Sequence, residues 1–126
     1  MKKNWVYRRG DIYFANLNPF VGSEQGGKRP VLVLQNNDGN FFSPTLIIAP
    51  MTTKVYKKQE LPTHYVLKKA GTLNHPSIVL LEQIRTIDKC RILSYQGKVS
   101  KEQMREIDDY IRTSLDLWIP ETVEGP

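Results

Sequence analysis

Short apolar runs separated by turn residues make up most of the chain. The clearest runs lie at residues 12–15, 31–34, 46–49 and 78–81. Weaker candidates lie at residues 64–67 and 91–93, and residues 84–87 either continue the run before them or pair beside it. Turn-like sequences, such as Asn-Asp-Gly-Asn at residues 37–40, separate the runs. This pattern is typical of an all-β domain.

The pattern changes near residue 100, where apolar residues recur at helical spacing. These residues are Met104, Ile107, Ile111, Leu115 and Trp118. Ser100 is a preferred N-cap, and Gln103 three positions later completes a capping box. Pro120 disfavours helical backbone in the residue before it, so the helix should end near Trp118. We therefore predict a mainly β fold, a small barrel or rolled sheet closed by one C-terminal helix.

Length and composition narrow the class of protein only modestly. The 126 residues suffice for one domain, which we place at residues 1–120, with residues 121–126 as a disordered tail. The net charge of +5 favours an anionic partner. Cys90 is the single cysteine, which suits a reducing cytosol, and no apolar run approaches the ~20 residues that span a bilayer. We expect a cytoplasmic protein without a membrane segment.

The stretch at residues 22–36 carries the strongest candidate chemistry. A polar, glycine-rich loop leads into Arg29, then Pro30, then an apolar strand. Pro30 fixes its own φ and favours extended backbone at Arg29. A planar guanidinium would then stand where a mobile loop meets a rigid strand, an arrangement suited to binding phosphate. An arginine beside a strand can equally make a surface ion pair, and the residue type alone leaves both interpretations open.

Hydroxyl and amide side chains supply further candidates. Thr52 follows a predicted strand, where its hydroxyl could donate to a phosphate oxygen or simply stabilise a backbone turn. Ser23, Glu24 and Gln25 form a polar triplet that would suit base edges or a solvated loop. Spacing does not separate these alternatives.

Glu82 and Gln83 interrupt an apolar run near the middle of the chain. Their side chains either point outward from a half-buried strand or lie in a groove, where a carboxylate could read a base or pair with an arginine. His64 and His75 could form a general acid–base pair, but neither has a fixed partner in the sequence. We assign neither histidine a catalytic role.

Other kinds of site find less support. The sequence has no Cys/His cluster with zinc spacing and no paired acidic motif for magnesium, so we expect no metal and no cofactor. Residues 26–28 lack the spacing of a phosphate-binding P-loop. Residues 54–58 hold three lysines beside Tyr56, which suits either single-stranded nucleic acid or a solvated loop.

Taken in order, several blocks of this sequence resemble the MazF/PemK family of bacterial toxins. They are residues 9–13 (Arg-Gly-Asp-Ile-Tyr), 22–33, 35–36, 43–45, 49–52 and 81–88 (Leu-Glu-Gln-Ile-Arg-Thr-Ile-Asp). The first and last blocks are specific, and the match covers about residues 8–118. The resemblance is closest to the MazF proteins of Gram-positive bacteria.

The resemblance implies a homodimer of SH3-like small barrels of the PemK/CcdB type, each with a C-terminal helix. It also implies a metal-independent endoribonuclease that cuts single-stranded mRNA at short sequences and leaves 2′,3′-cyclic phosphate and 5′-hydroxyl ends. The partner that it implies is a MazE-type antitoxin. Similarity to the Gram-positive proteins favours a pentamer of the UACAU type as the cleavage site.

The site residues of the family carry over position by position. Its catalytic arginine falls on Arg29, and its catalytic threonine falls on Thr52. Adding the candidates that the residue types suggest, we assign RNA contact to six positions. These are Ser23, Glu24, Gln25, Asn36, Glu82 and Gln83. Lysines in residues 54–58 would contact phosphates.

Two other functions remain open from the sequence alone. The barrel is similar to that of the CcdB toxins, which bind DNA gyrase and cut nothing, and fold by itself does not determine function. The chain could also be a module that binds single-stranded nucleic acid without cleaving it. Arg29 together with Thr52 favours the nuclease, because a gyrase-binding protein has no need of that pair.

Overall fold

The computed structural model describes residues 3–53 and 61–117, which form seven strands, two helices and two 3₁₀ turns. The strands are β1 Asp11–Asn16, β2 Lys28–Val33, β3 Thr45–Thr52, β4 His64–Leu67, β5 Ser77–Leu80, β6 Arg85–Asp88 and β7 Ile92–Lys98. The helices are α1 Asn37–Phe42 and α2 Lys101–Leu115. Two 3₁₀ turns lie at Leu81–Gln83 (the 81–83 turn) and Lys89–Arg91.

The strands form one antiparallel sheet in the order β4-β5-β3-β2-β1-β7. The long strand β3 has two partners on one edge: its first half pairs with β6, and its end, Met51 and Thr52, pairs with β5. The Thr72 N–H donates to the Gln96 carbonyl at 2.9 Å, which joins the chain after β4 to β7 at the other side of the sheet. The sheet therefore rolls into a small barrel, as the sequence predicted.

Both faces of β1 and β2 are buried, which explains the unbroken apolar run in β2. Successive side chains of a strand point to opposite faces of the sheet. Leu32 packs with Ile12 and Ile107 in one core, whereas Val31 packs with Tyr13 in a second core. Because β2 is buried on both faces, the backbone that leads back to Arg29 is held firmly in place.

The predicted capping box at the start of α2 is present. Ser100 Oγ accepts the Gln103 N–H at 3.0 Å, and Gln103 Oε1 accepts the Ser100 N–H at 2.8 Å. Ile107, on the face of α2 that meets the barrel, is fully buried, and apolar residues at helical spacing on the same face pack against the same core. The amphipathic pattern therefore identified the face of α2 that packs on the barrel.

The C-terminal end of α2 lies earlier than the sequence predicted. The helix ends at Leu115, which is about half exposed and does not belong to the core. Asp116 adopts left-handed backbone with φ 52°, and its N–H turns back to the carbonyls of the last helical turn. This local reversal ends the helix upstream of Pro120, the residue that the sequence analysis expected to end it. Trp118, Pro120 and the predicted tail lie outside the described residues.

Two predictions of local structure are wrong, and one predicted strand is longer than expected. Residues 37–40, predicted as a turn, begin α1, because Asn36 Oδ1 caps that helix by accepting the Gly39 N–H at 2.8 Å. The run at residues 84–87 neither continues β5 nor pairs beside it, since the 81–83 turn redirects the chain and β6 pairs with β3. The short run at residues 91–93 leads into the longer strand β7, which begins at Ile92 and pairs along β1.

Candidate active site

Strand pairing brings Arg29 and Thr52 together. Strands β2 and β3 are antiparallel, with Val31 opposite Pro50. Continued by two residues toward the same end of the sheet, this register sets Arg29 opposite Thr52. Thr52 is the last residue of β3 and is only 6% exposed. The two residues assigned to catalysis from the sequence therefore stand on neighbouring strands at one end of the barrel.

The Arg29 side chain is held by backbone carbonyls from two directions. Its Nε donates to the Gly26 carbonyl at 2.7 Å, and its NH1 donates to the Met51 carbonyl at 3.4 Å. Among the described residues, these are the hydrogen bonds that the guanidinium makes, so N–H groups remain for an anion. Partial burial lowers the pKa of Arg29. A fixed, partly desolvated guanidinium beside a buried hydroxyl is suited to binding a phosphate.

Glycines allow the loop between β1 and β2 to approach its own residues closely. Gly27 adopts a positive φ of 78°, and its N–H donates to Asn18 Oδ1 at 2.8 Å. Gly26 is required for a steric reason, because a β-carbon there would lie 1.9 Å from the Phe20 ring. The ring thus packs directly on the peptide whose carbonyl holds Arg29. The glycine-rich sequence therefore shapes the backbone that positions the guanidinium.

Gln83 fastens the same loop to the 81–83 turn. Its Oε1 accepts the Gln25 N–H at 2.9 Å, and its Nε2 donates to the Ser23 carbonyl at 3.3 Å. Both polar atoms of Gln83 are thereby engaged with loop backbone, which competes with the RNA contact assigned to it from the sequence. The side chain of Glu24 stabilises the loop from within, because its Oε1 accepts the Val21 N–H at 2.8 Å.

Replacing Gln83 with alanine should loosen the loop at Gln25. A hydrogen bond of this kind contributes about 1 kcal/mol, so the Gln25 amide should exchange with solvent roughly five- to tenfold faster. Hydrogen exchange followed by NMR would measure this. Gln83→Glu keeps the acceptor and should preserve the protection, and the Val21 amide, held by Glu24, should not change in either variant. Unchanged exchange at Gln25 in Gln83→Ala would contradict the assignment.

Glu82 is held by two side chains from the start of β4. Its Oε1 accepts from the Thr63 hydroxyl at 3.1 Å, and its Oε2 lies 2.9 Å from His64 Nε2. The sequence interpretation left His64 without a partner, and that was wrong: His64 is buried in β4 and paired with Glu82. The residue was missed because β4 carries a weak strand pattern and its pairing with β5 is not visible in the sequence.

Asn36 lies apart from the other candidates. Asn36 follows the end of β2 that is farther from Arg29. An extended chain rises ~3.3 Å per residue, so the two residues can lie roughly 20 Å apart. The Asn36 side chain caps α1. The structure thus gives Asn36 a local role, and its contact with RNA stays a prediction. The remaining candidates, Ser23, Gln25, Glu82 and Gln83, belong to the loop and the turn that contact each other.

The largest of the cavities described here lies away from the candidate site. A cavity of ≈ 730 Å³ lies near the opposite end of β3, lined by residues that include Trp5, Tyr7 and Lys89. Within residues 3–53 and 61–117, no group of three or more His, Cys, Asp or Glu side chains could hold a metal ion. No helix in the described part of the chain is long and apolar enough to cross a membrane. The predicted basic loop at residues 54–58 falls outside the described residues.

Comparisons with known proteins agree with this architecture. The family model described as "PemK-like, MazF-like toxin of type II toxin-antitoxin system" matches residues 8–115. Endoribonuclease EndoA of Bacillus subtilis (strain 168) is 49% identical over 114 residues, which cover 89% of this chain and 97% of that protein.

Solved structures support the same fold. MazF (Form-I) from Deinococcus radiodurans matches with a TM-score of 0.77 at 23% identity, covering 90% of this chain and 100% of that one. An endoribonuclease in complex with its cognate antitoxin, from Mycobacterial species, matches with a TM-score of 0.70 at 24% identity, covering 91% and 98%. The predicted fold class, an antiparallel barrel with a C-terminal helix, is confirmed.

Proposed function

The chain belongs to the PemK-like, MazF-like family of type II toxin–antitoxin toxins and is a toxin endoribonuclease, and from this premise we propose that it cleaves single-stranded mRNA at short sequences without a metal ion. The observation that carries the proposal is the β2–β3 register, which sets Arg29 opposite the buried Thr52. A cation and a hydroxyl so arranged suit one phosphate group.

In the proposed reaction the RNA 2′-hydroxyl oxygen attacks the neighbouring phosphorus. The new O2′–P bond forms as the P–O5′ bond breaks. The 2′-hydroxyl gives up its proton to water, and the departing 5′-oxygen takes up a proton from water, which leaves a 2′,3′-cyclic phosphate and a 5′-hydroxyl. Arg29 binds the phosphate and balances the charge that develops on its oxygens. Thr52 donates a hydrogen bond to a non-bridging oxygen. Partial burial lowers the pKa of Arg29, but a guanidinium keeps its proton in proteins, so we assign Arg29 to charge stabilisation.

RNA recognition is assigned to the loop and the turn that meet beside Arg29. Sequence-specific proteins read single-stranded RNA by hydrogen bonds to splayed bases and by stacking. Ser23 and Glu24 are exposed on the loop, and Glu82 presents a carboxylate from the turn. Several such groups support a site of several bases, for which resemblance to the Gram-positive proteins favours a pentamer of the UACAU type.

The proposal extends to the surroundings of the enzyme. We expect it to act in the cytoplasm as a homodimer and to be neutralised by a MazE-type antitoxin. A net charge of +5 and the exposed polar residues of the loop and the 81–83 turn suit an acidic, disordered segment that folds on binding. A solved relative in complex with its cognate antitoxin supports such a partner. The CcdB-like alternative is less favoured, because gyrase binding would leave Arg29 and Thr52 without a role.

Cleavage in the presence of EDTA is the test of this function. Purified protein should cut a long single-stranded RNA at unchanged rate in excess chelator, and the products should carry 5′-hydroxyl and 2′,3′-cyclic phosphate ends. Mass spectrometry of the fragments identifies both ends, and heat-denatured protein is the control. Activity that needs added magnesium, or 5′-phosphate ends, would contradict the mechanism. Binding of RNA without cleavage would instead support a binding module.

A further inference from the structure

His64 is a buried histidine that takes no part in the proposed phosphoryl chemistry. Its side chain is 4% exposed, and its Nε2 lies 2.9 Å from Glu82 Oε2. Its Nδ1 is buried and has no hydrogen-bond partner among the described residues. Burying an imidazole with one nitrogen unpaired costs free energy. The hydrogen bond at Nε2 is the polar contact that offsets part of this cost, and the fold keeps it.

The geometry fixes which nitrogen of His64 carries the hydrogen toward Glu82. A carboxylate oxygen accepts hydrogen bonds, so the nitrogen that faces it must be the donor. Nε2 therefore donates to Oε2, while the Thr63 hydroxyl donates to Oε1 at 3.1 Å. Two donors from adjacent residues of one segment thus hold both oxygens of one carboxylate. This restricts the rotation of a side chain that would otherwise be free at the surface.

We infer that His64 is a positioning residue that, with Thr63, fixes Glu82 as a hydrogen-bond acceptor for one base of the RNA. The inference rests on the proposed function and assigns a specificity role at that site. The Glu82 side chain is 33% exposed, so part of the carboxylate still faces solvent. Its remaining lone pairs accept only. The base read there must therefore offer an N–H group, as the amino groups of adenine and cytosine do, while a carbonyl edge is repelled.

The 81–83 turn is anchored separately from His64. Ser114 Oγ donates to the Leu81 carbonyl at 2.5 Å, and Gln83 is bonded to the loop at Gln25. Ile78, in the strand before the turn, lies opposite Thr52. Loss of the His64 bond should therefore free the Glu82 carboxylate while the turn, the loop and the catalytic pair stay in place. Specificity at one base should change, and the maximal rate should not.

The test uses four variants and a panel of RNA oligonucleotides. His64→Leu removes the hydrogen-bond donor, whereas His64→Gln keeps an N–H donor on a different side chain. Glu82→Gln and the double variant His64→Leu/Glu82→Gln complete a double-mutant cycle with His64→Leu. Each RNA carries one base change within the site that the unaltered enzyme prefers, and kcat and KM are measured for each. Circular dichroism and thermal unfolding check that each variant is folded.

His64→Leu should lower discrimination about five- to tenfold at one position, the same position that Glu82→Gln relaxes. His64→Gln should retain most of the discrimination, and the double variant should be no worse than Glu82→Gln alone. A uniform loss at all positions, or additive effects in the double variant, would overturn the inference while leaving the nuclease function intact. If His64→Leu does not fold, Thr63→Val decides by the same criterion. An unaltered enzyme that cuts no RNA would refute both proposals.

Discussion

Replacing Arg29 with lysine should lower the rate of RNA cleavage about 10²–10³-fold while the fold persists. The guanidinium contacts the Gly26 and Met51 carbonyls through two different nitrogens and still presents N–H groups to a phosphate. An ammonium is a point charge on a flexible stem and cannot hold this forked geometry. Single-turnover cleavage of a defined RNA oligonucleotide would measure the loss, and Arg29→Ala should lose at least as much.

The control for Arg29 is an arginine with no proposed role at the site. Arg112 lies on the exposed face of α2, where it pairs with Asp109. Arg112→Lys conserves the charge there and should match the unaltered enzyme in both rate and thermal stability. If Arg29→Lys cleaved RNA at a near-normal rate, the phosphate-binding role assigned to Arg29 would be wrong.

Replacing Thr52 with valine should lower kcat about 100-fold without changing which sequences are cut. Valine nearly matches threonine in shape, so the change removes the hydroxyl, together with any contact that the hydroxyl makes, while largely keeping the packing of this buried position at the end of β3. Thermal unfolding of the variant measures how much stability is lost with the hydroxyl. Thr52→Ser keeps the hydroxyl and should retain most of the activity. Rates on one oligonucleotide give kcat, and sequencing the 5′ ends of a digested long RNA gives the site profile.

The site profile separates Thr52 from Glu82. A group that stabilises the transition state affects all substrates alike, whereas a group that reads a base affects some more than others. Thr52→Val should therefore scale every cleavage site down together. A shifted profile in Thr52→Val would mean that Thr52 contacts a base or supports a residue that does, and its catalytic assignment would fail.

Much of the fold follows from local patterns in the sequence. The unbroken apolar run of β2 predicts a strand buried on both faces, and the helical spacing after Ser100 predicts α2 with its cap. These signals are strong because they depend on neighbours within a few residues. Residues 84–87 show what local patterns do not reveal, since the partners of β6 in β3 lie 37 to 43 positions earlier and no local pattern specifies that pairing.

The candidate site divides in the same way. The family resemblance singled out Arg29 and Thr52, while their adjacency depends on the register of β2 and β3. Gln83 looked like a residue that contacts RNA, and only the folded loop reveals that its amide is bonded to backbone at Ser23 and Gln25. The polar character of a side chain can be read from sequence, but the partner that satisfies it cannot.

His64 shows most clearly what the sequence alone does not reveal. By itself the sequence determined the residue types suited to a phosphate, the strands and helix that carry them, and the family to which the chain belongs. Tertiary structure alone decided that His64 is buried on β4 and that Glu82, in the turn after the neighbouring strand, is its partner. The physical reason is that propensity and periodicity act along the chain, whereas hydrogen bonds between side chains form only after distant strands have paired in register.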